Sequence, residues 1–424
     1  MTPLLGLAAR SAWHRRGTLV LVAASIALAT LLLLGLERLR QDVRASFVAS
    51  VSGTDLVVGA RSSPVQLMLY AVFRIGGATS NLRMDSLRAV AAMRAVAWVV
   101  PLSLGDSHRG HPVLGTTPAY FAHFRYGDAR PLALAQGRAF AGTLDGLYEA
   151  VLGAEVAARL GHAVGARITL SHGGGGLPGS EHADKPFQVV GILAPTGTPV
   201  DRTVHVSLQA IEAIHLDFAG GAPLPGLRLA PELARKFDRE PKQVTAALVG
   251  LQTRAAVFAV QRQVNAFEGE PLMAVLPGVA LDELWQLIGV AERALLAMSV
   301  LVAVVSLAGL VATVLAGLNE RRRELAVLRA VGAGPRHVLL LLAAEGALVT
   351  LLGAVAGAAA AALAVAVAAP WVQSQLGITL QGGAPTAASW GLWGAVVVAG
   401  ILASLVPGLR AYRLSLADGL SPKA

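Results

Sequence analysis

The chain contains no cysteine, which excludes a disulfide framework and any thiolate metal centre and leaves cysteine usage silent on compartment. Charge is scarce as well: 14% of the 424 residues are Asp, Glu, Lys or Arg, against roughly a quarter in soluble globular chains. Aromatic residues make up only 5%, whereas 54% are hydrophobic and the mean hydropathy is +0.60, so an ordinary soluble enzyme is excluded. Lysine occurs only at Lys185, Lys236, Lys242 and Lys423, and none of these stands in a G-x-x-x-x-G-K-[ST] run. Without a lysine to reach the phosphates of a nucleotide, the chain is not expected to hydrolyse ATP by itself. H-E-x-x-H and G-x-S-x-G are also missing, so metalloprotease and hydrolase chemistry have no anchor. No catalytic residue and no metal ligand is assigned.

What is present is apolar sequence in blocks. Residues 17–36, 294–318, 338–369 and 390–409 are each long enough to cross a hydrocarbon core of about 30 Å. The third block is overlong and interrupted by Glu345, which predicts a tilt or an interfacial extension. Arg15 and Arg16 precede the first block, and Ala27-Leu28-Ala29 imitates a signal cleavage site. The apolar run nevertheless continues to Leu36, beyond where a signal core stops, and the block reads as a retained span.

The net charge is +9, and its position decides its meaning. Segments 1–16, 319–337 and 410–424 hold eleven basic and three acidic residues, whereas 37–293 holds 24 basic and 22 acidic. The excess lies on one face of a membrane, which places both termini and segment 319–337 in the cytoplasm and puts 37–293 and the uncharged loop 370–389 outside. A basic patch on a soluble face is lacking, so the partner surface is the lipid bilayer and not nucleic acid.

Segment 37–293 is large enough for one or two domains with their own core. Val- and Ile-rich runs at 167–170, 187–193, 204–208 and 244–251 read as strands. Helices are expected from Asp85 as cap through Arg94, over 154–160 ending at Gly161, from Ser207 as cap through Phe218, and from Thr253 as cap through Phe267. The arrangement is α/β. Loops are expected at 172–185, with the run Gly173-Gly174-Gly175-Gly176, and at 219–241. Eight of the ten histidines lie in this segment, among them His108, His111, His172 and His182; their spacing is weak for a metal site and they read as solvated loop residues. Segments 37–50 and 282–293 carry no helix breaker next to their spans and read as helical stalks that extend them.

The cytoplasmic stretch from Asn319 to Pro335 predicts a short amphipathic helix over 320–331, with Glu320 and Arg323 paired at i,i+3, Gly332 as the residue that ends it, and Pro335 in the first turn of the next helix. Leu325, Ala326, Val327, Leu328 and Val331 expose more apolar surface than a simple anchoring loop requires, which suggests a docking partner. Glu345 costs roughly 2.5–3.5 kcal/mol at mid-bilayer, and pairing with a loop arginine is the expected remedy. Gly353 and Gly357 form a small-xxx-small pair that lets helices approach closely.

These stretches resemble the FtsX-like, MacB-type ABC transporter permease superfamily, whose members include the macrolide exporter MacB, the lipoprotein-releasing LolC and LolE, and the division protein FtsX. The resemblance lies in residues 4–16 ahead of the first span, EAVLGAEVAARLGHAVGARITL (149–170) with FQVVGIL (187–193), ERRRELAVLRAVGAG (320–334), and Ala344-Glu345-Gly346-Ala347 with Gly353 and Gly357. It extends to VPGLRAYRLSLADGL (406–420), where Pro407 and Arg410 open the cytoplasmic tail and Ser415 and Leu416 stand where the family has a proline.

The resemblance implies an α-helical membrane protein with four transmembrane helices and a large extracytoplasmic α/β domain between helices 1 and 2, in a bacterial inner membrane. It implies a permease subunit that dimerises with an identical copy or a close paralogue and binds a separate ABC ATPase, which holds ATP and Mg. Glu320, Arg321, Arg322, Arg323, Glu324, Leu325, Leu328 and Arg329 would carry the ATPase contact, with Gly332 allowing the turn back into the membrane. A periplasmic or outer-membrane partner is compatible with it. The expected work is mechanotransmission for export or extraction of a lipoprotein, lipid, peptide or drug. The alternatives are a signalling scaffold that regulates an outer partner such as a cell-wall hydrolase and, more weakly, a metal-linked transporter.

Overall fold

In lipid a chain must satisfy its backbone N–H and C=O groups internally, so long apolar runs become uninterrupted helices. The computed structural model, which describes residues 16–143, 146–173, 181–219, 222–223, 241–320, 332–376, 380 and 385–413, contains four such helices. They are α1 (Arg16–Ala49), α2 (Pro277–Glu320), α3 (Pro335–Leu376) and α4 (Ala387–Arg413). The chain divides into a helical unit of Met1–Asp42, Ile288–Trp371 and Leu380–Ala424, and an outer unit of Val43–Leu287 with Val372–Thr379.

Within the helical unit, α3 packs against two neighbours through small residues. Added to Gly353, a Cβ would stand 2.7 Å from the Ala23 carbonyl oxygen and 2.9 Å from Ile26 Cβ of α1; at Gly357 it would meet Ala27 and Thr30. Gly346 of α3 faces Ser404 of α4, and Gly400 of α4 faces Thr350 of α3. Polar groups join the same seams: Ser404 Oγ donates to the Ala343 carbonyl at 3.2 Å, and Trp393 Nε1 donates to the Ala354 carbonyl at 3.2 Å. Ser306 of α2 donates to the Ser25 carbonyl of α1 at 3.1 Å. Between them lie Val22, Ile26, Leu310, Val314, Leu342, Val349 and Val396. Outside these seams, Leu295, Met298, Leu301 and Val305 of α2 and Leu348, Leu352, Leu363 and Val367 of α3 are exposed, as expected of side chains that meet lipid or another membrane helix.

The outer unit is built on β1 (Leu56–Ala60), β2 (Val96–His108), β3 (His111–Thr116), β4 (Leu134–Gly137), β5 (Glu149–Leu152), β6 (Phe187–Leu193), β7 (Val204–Ser207), β8 (Ala246–Leu251) and β9 (Leu272–Val275). They pair in the order β9-β1-β8-β2-β3-β7-β5-β6-β4, with Ser171–His172 added against β2 and Arg167–Ile168 against β6. The pairs β3/β7 and β5/β6 are parallel and the others antiparallel. Every residue of β1 and β7 is buried, because helices and loops cover both faces of the sheet there. One core lies over Val57, Leu67, Val100, Leu114 and Leu248, and another over Leu56, Val58, Leu87, Val260 and Val264.

The end of α1 and the start of α2 are part of the first of these cores. Phe47, Ala280 and Leu281 are buried in it, with Val43, Leu284 and Trp285 packed alongside. Phe47 lies 4.2 Å from Phe73 and 5.7 Å from Trp285, centroid to centroid, and the Arg44 guanidinium sits 5.8 Å over the Trp285 ring. The segments read as stalks are therefore helical and also rooted in the domain.

Several local expectations are corrected. Asp85 lies inside the first turn of the helix Met84–Ala91 and pairs with Arg88; Arg83 is its N-cap. Ser207 caps its helix through the Ala210 N–H, but the helix ends at His215 and not at Phe218, because Phe218 begins a short strand. Thr253 precedes a 3-10 turn, Arg254–Ala256, before the helix Val257–Asn265, and its side chain makes no capping bond. Pro370, expected to open the outer loop, stands inside α3, which runs on to Leu376. A proline removes one N–H from the ladder, and neighbouring helical residues carry the remaining bonds.

Replacing Gly353 or Gly357 by valine is expected to force α3 away from α1, at a cost of about 1–3 kcal/mol. The check is the melting temperature of the detergent-purified protein, which should fall for these variants and stay unchanged for Gly391→Ala and Gly394→Ala, whose surroundings are open.

Candidate functional site

Two places carry the residues that the sequence singles out. At the turn between α2 and α3, Glu320 is the last residue of α2, and Arg321, Arg322, Arg323, Glu324, Leu325, Leu328 and Arg329 lie outside the described residues. Gly332 has φ +104°, a conformation that strains any residue with a Cβ, and Pro335 opens α3, where a missing N–H breaks no helical bond. Glu345 is half-buried on α3 beside Gly346, and Pro407 is buried within α4, with Arg410 exposed one turn on. Gly353 and Gly357 meet α1 of the same chain, so they join two spans of one subunit.

Of the histidines expected to be solvated, His108, His111 and His182 are buried, as is His205, whereas the His172 side chain is 40% exposed. Arg109 and Gly110, both at positive φ, make the tight turn that pairs His108 with His111 across β2 and β3. After the glycine run the chain returns with Glu181 bridged to Ser171 and the His182 N–H donated to the Leu170 carbonyl at 2.9 Å, which carries His182 inward. Close by, the fully buried Lys185 donates to Asp217 Oδ1 at 2.5 Å; a buried ammonium is tolerable only with such a partner.

Three of these elements bring Asp106, His172 and His215 together. The register of β2 against β3 slips between Leu104 and Ser107, and Gly105, at φ +147°, lets the strand bulge there. On its other edge β2 pairs with Ser171–His172, with Asp106 directly opposite His172. His215 is the last residue of the helix Leu208–His215, which packs over β3 with Ile211 close against Gly115. The result is a triangle: His172 Nδ1 to Asp106 Oδ1 3.2 Å, His172 Nδ1 to His215 Nε2 3.2 Å, and His215 Nε2 to Asp106 Oδ1 3.3 Å.

Burial alone would raise the Asp106 carboxyl, but hydrogen bonds from His172 and His215 override it and hold the group down at about 2. The bond to Asp106 raises His172. The His182 ring stands edge-on to His215 at 5.1 Å, and burial pushes it down to about 4. A separate pair forms where His108 Nδ1 lies 2.7 Å from the Thr169 carbonyl and its Nε2 3.0 Å from His162 Nε2. His172 and His182 were singled out from the sequence; Asp106 and His215 were not, because the strand bulge and the long-range register that deliver them leave no local mark.

Four apolar helices with an α/β unit inserted after the first define a membrane permease architecture. The FtsX-like permease C-terminal family model matches residues 296–416, and the MacB-like periplasmic core domain model matches residues 17–267. The chain belongs to the FtsX-like, MacB-type family of ABC transporter permeases. Among solved structures it is similar to the periplasmic region of MacB from Actinobacillus actinomycetemcomitans, at 10% identity over 56% of this chain and 97% of that chain, with a TM-score of 0.34. It is also similar to the extracellular domain of the noncanonic ABC-type transporter YknZ from Gram-positive bacteria, at 14% identity over 52% of this chain and 99% of that chain, with a TM-score of 0.31. No curated protein matches it.

His205 gives the outer unit an acid sensitivity. Its ring is buried against Tyr120 and Phe121, and burial, followed by the nearby Arg74 charge, pushes its pKa down to about 3. A depressed histidine contributes stability that is present above its unfolded value near 6.5 and lost as pH falls through the folded value, at about 1.4 kcal/mol per pH unit. Unfolding midpoints of the full chain measured between pH 7 and pH 4 should fall for the wild type and fall less steeply for His205→Asn.

Proposed function

We propose that this chain is the force-transmitting permease subunit of an ABC transporter that exports or extracts an envelope substrate, such as a lipoprotein, lipid, peptide or amphipathic drug. The observation that carries the reading is the pairing of family membership with a helical architecture in which the first two spans, α1 and α2, end in residues of the outer core. ATP would be bound and hydrolysed, with Mg, by a separate cytoplasmic ATPase, since the chain has no phosphate-binding lysine motif. Arg321, Arg322, Arg323, Leu325 and Leu328 supply a basic and apolar docking surface for that ATPase, and Gly332 turns the chain back into α3. Closing of two ATPase subunits then moves α1 and α2 and, through them, the outer domains of a permease pair.

Transport through a polar central pathway is less well supported: within the four apolar blocks Glu345 is the single ionisable side chain, and intramembrane ionisable groups mark such pathways. The termini and the turn at 319–337 face the cytoplasm in this reading, on the strength of their excess of arginine and lysine.

Combining Arg321→Glu, Arg322→Glu and Arg323→Glu is expected to abolish co-purification of the ATPase, with the topology of the variant verified in parallel because these arginines also orient the spans. Wild-type yield of ATPase with a correctly inserted variant would overturn the docking assignment. Crosslinking from the outer unit with the ATPase trapped in its ATP-bound form should capture a transported molecule; capture of a cell-wall hydrolase alone would replace export by signalling.

A further inference from the structure

We propose that Asp106, His172 and His215 form a binding site for a divalent transition-metal ion of the zinc class on the outer unit. The site lies wholly within the outer unit and does not depend on the transport reading.

Tetrahedral zinc binds imidazole nitrogen and carboxylate oxygen at about 2.0–2.1 Å, which sets neighbouring donors about 3.3 Å apart. The three edges measured here are 3.2, 3.2 and 3.3 Å, the dimensions of one face of such a tetrahedron. Two imidazoles and one carboxylate are a donor set that suits zinc and its neighbours in the first transition row better than magnesium or calcium, which prefer oxygen throughout.

The orientation of His215 adds an independent constraint. Its Nδ1 lies 2.9 Å from the Ile211 carbonyl, to which it donates, so Nε2 is the ring nitrogen that faces Asp106 Oδ1 and His172 Nδ1. A backbone carbonyl on the far nitrogen is the usual device for fixing the tautomer of a metal-bound histidine. A cation bound between them would take the place of the hydrogen bonds that join Asp106, His172 and His215. His172 is fixed from the backbone by its register opposite Asp106, and Asp106 by the bulge at Gly105, so the donors come from three separate elements.

The site is also accessible. Asp106 is buried, while the side chains of His172 and His215 are 40% and 26% exposed, which leaves the fourth position of the tetrahedron to water or to a group on a bound partner. The His182 ring stands edge-on to His215, and Lys185 binds Asp217, two residues beyond His215. The His108–His162 pair, whose facing Nε2 atoms are both engaged in the hydrogen bond between the rings, forms no comparable set among the described residues.

The test uses the full-length chain carrying an affinity tag without histidine, purified in detergent and stripped with a chelator. Zinc titrated against a competing chromophoric chelator should show one tight equivalent per chain, and cobalt in its place should give the intense visible absorption of a four-coordinate ion. His215→Ala, His172→Ala and Asp106→Asn should each weaken zinc binding by more than about tenfold, whereas His162→Ala should bind as the wild type does. Melting in chelator shows which variants fold; should His215→Ala fail, His172→Ala at the more exposed corner carries the comparison. Absence of a tight equivalent in the wild type, as expected of a site that holds only a proton, overturns the proposal. So does equal binding by folded His172→Ala and His215→Ala.

Discussion

The contact on which the architecture turns is the aromatic node of Phe47, Phe73 and Trp285. A membrane helix that stops at the headgroups can move without consequence for what lies beyond it. Here α1 continues to Ala49 and α2 begins at Pro277, and the residues at those ends are core residues of the α/β unit. Phe47 packs on Phe73 of the domain and on Trp285 of the other helix, so any displacement of one helix end is opposed by the domain and by its partner helix. Large aromatic side chains suit this place, since each buries 150–250 Å² and holds a defined ring geometry. Mechanical coupling, as the function is read here, depends on that node.

The helical unit shows the complementary economy. Lipid offers no hydrophobic gain for bringing apolar helices together, so close approach has to come from small residues and from hydrogen bonds between helices. Gly353 and Gly357 toward α1, with Gly346 and Gly400 between α3 and α4, supply the first; Ser306, Ser404 and Trp393 supply the second. α3 therefore turns small residues toward both α1 and α4, while large apolar side chains such as Leu301 on α2 and Leu363 on α3 are exposed.

The sequence disclosed the membrane plan more fully than the outer unit. Apolar length and the arginine bias are local properties, so the four spans, the inserted α/β segment and the family resemblance could be read directly. Strand Phe187–Leu193 and the helix ending at Gly161 were also legible, because β-branched runs and a glycine C-cap act over a few residues. Sheet order was not, since it depends on pairings such as β1 with β8 that join residues nearly two hundred positions apart. The histidines illustrate the same limit. Beside a glycine run His172 and His182 read as solvated loop residues, whereas their surroundings are made by Asp106 on a bulged strand and by His215 at a helix end. For the coupling stretch the position is reversed: its chemistry is plain in the sequence, and residues 321–331 lie outside the described residues.

Force transmission, as proposed, requires that nucleotide binding by the partner ATPase reach the outer unit. The absence of cysteine allows a single spin label at Val164→Cys, an exposed position of the α/β unit, without background labelling. With labels on both permease subunits of the reconstituted complex, electron–electron distance distributions should shift when the ATPase is trapped with ATP and return on release. Identical distributions in the two states, with the ATPase demonstrably bound and loaded, would contradict it.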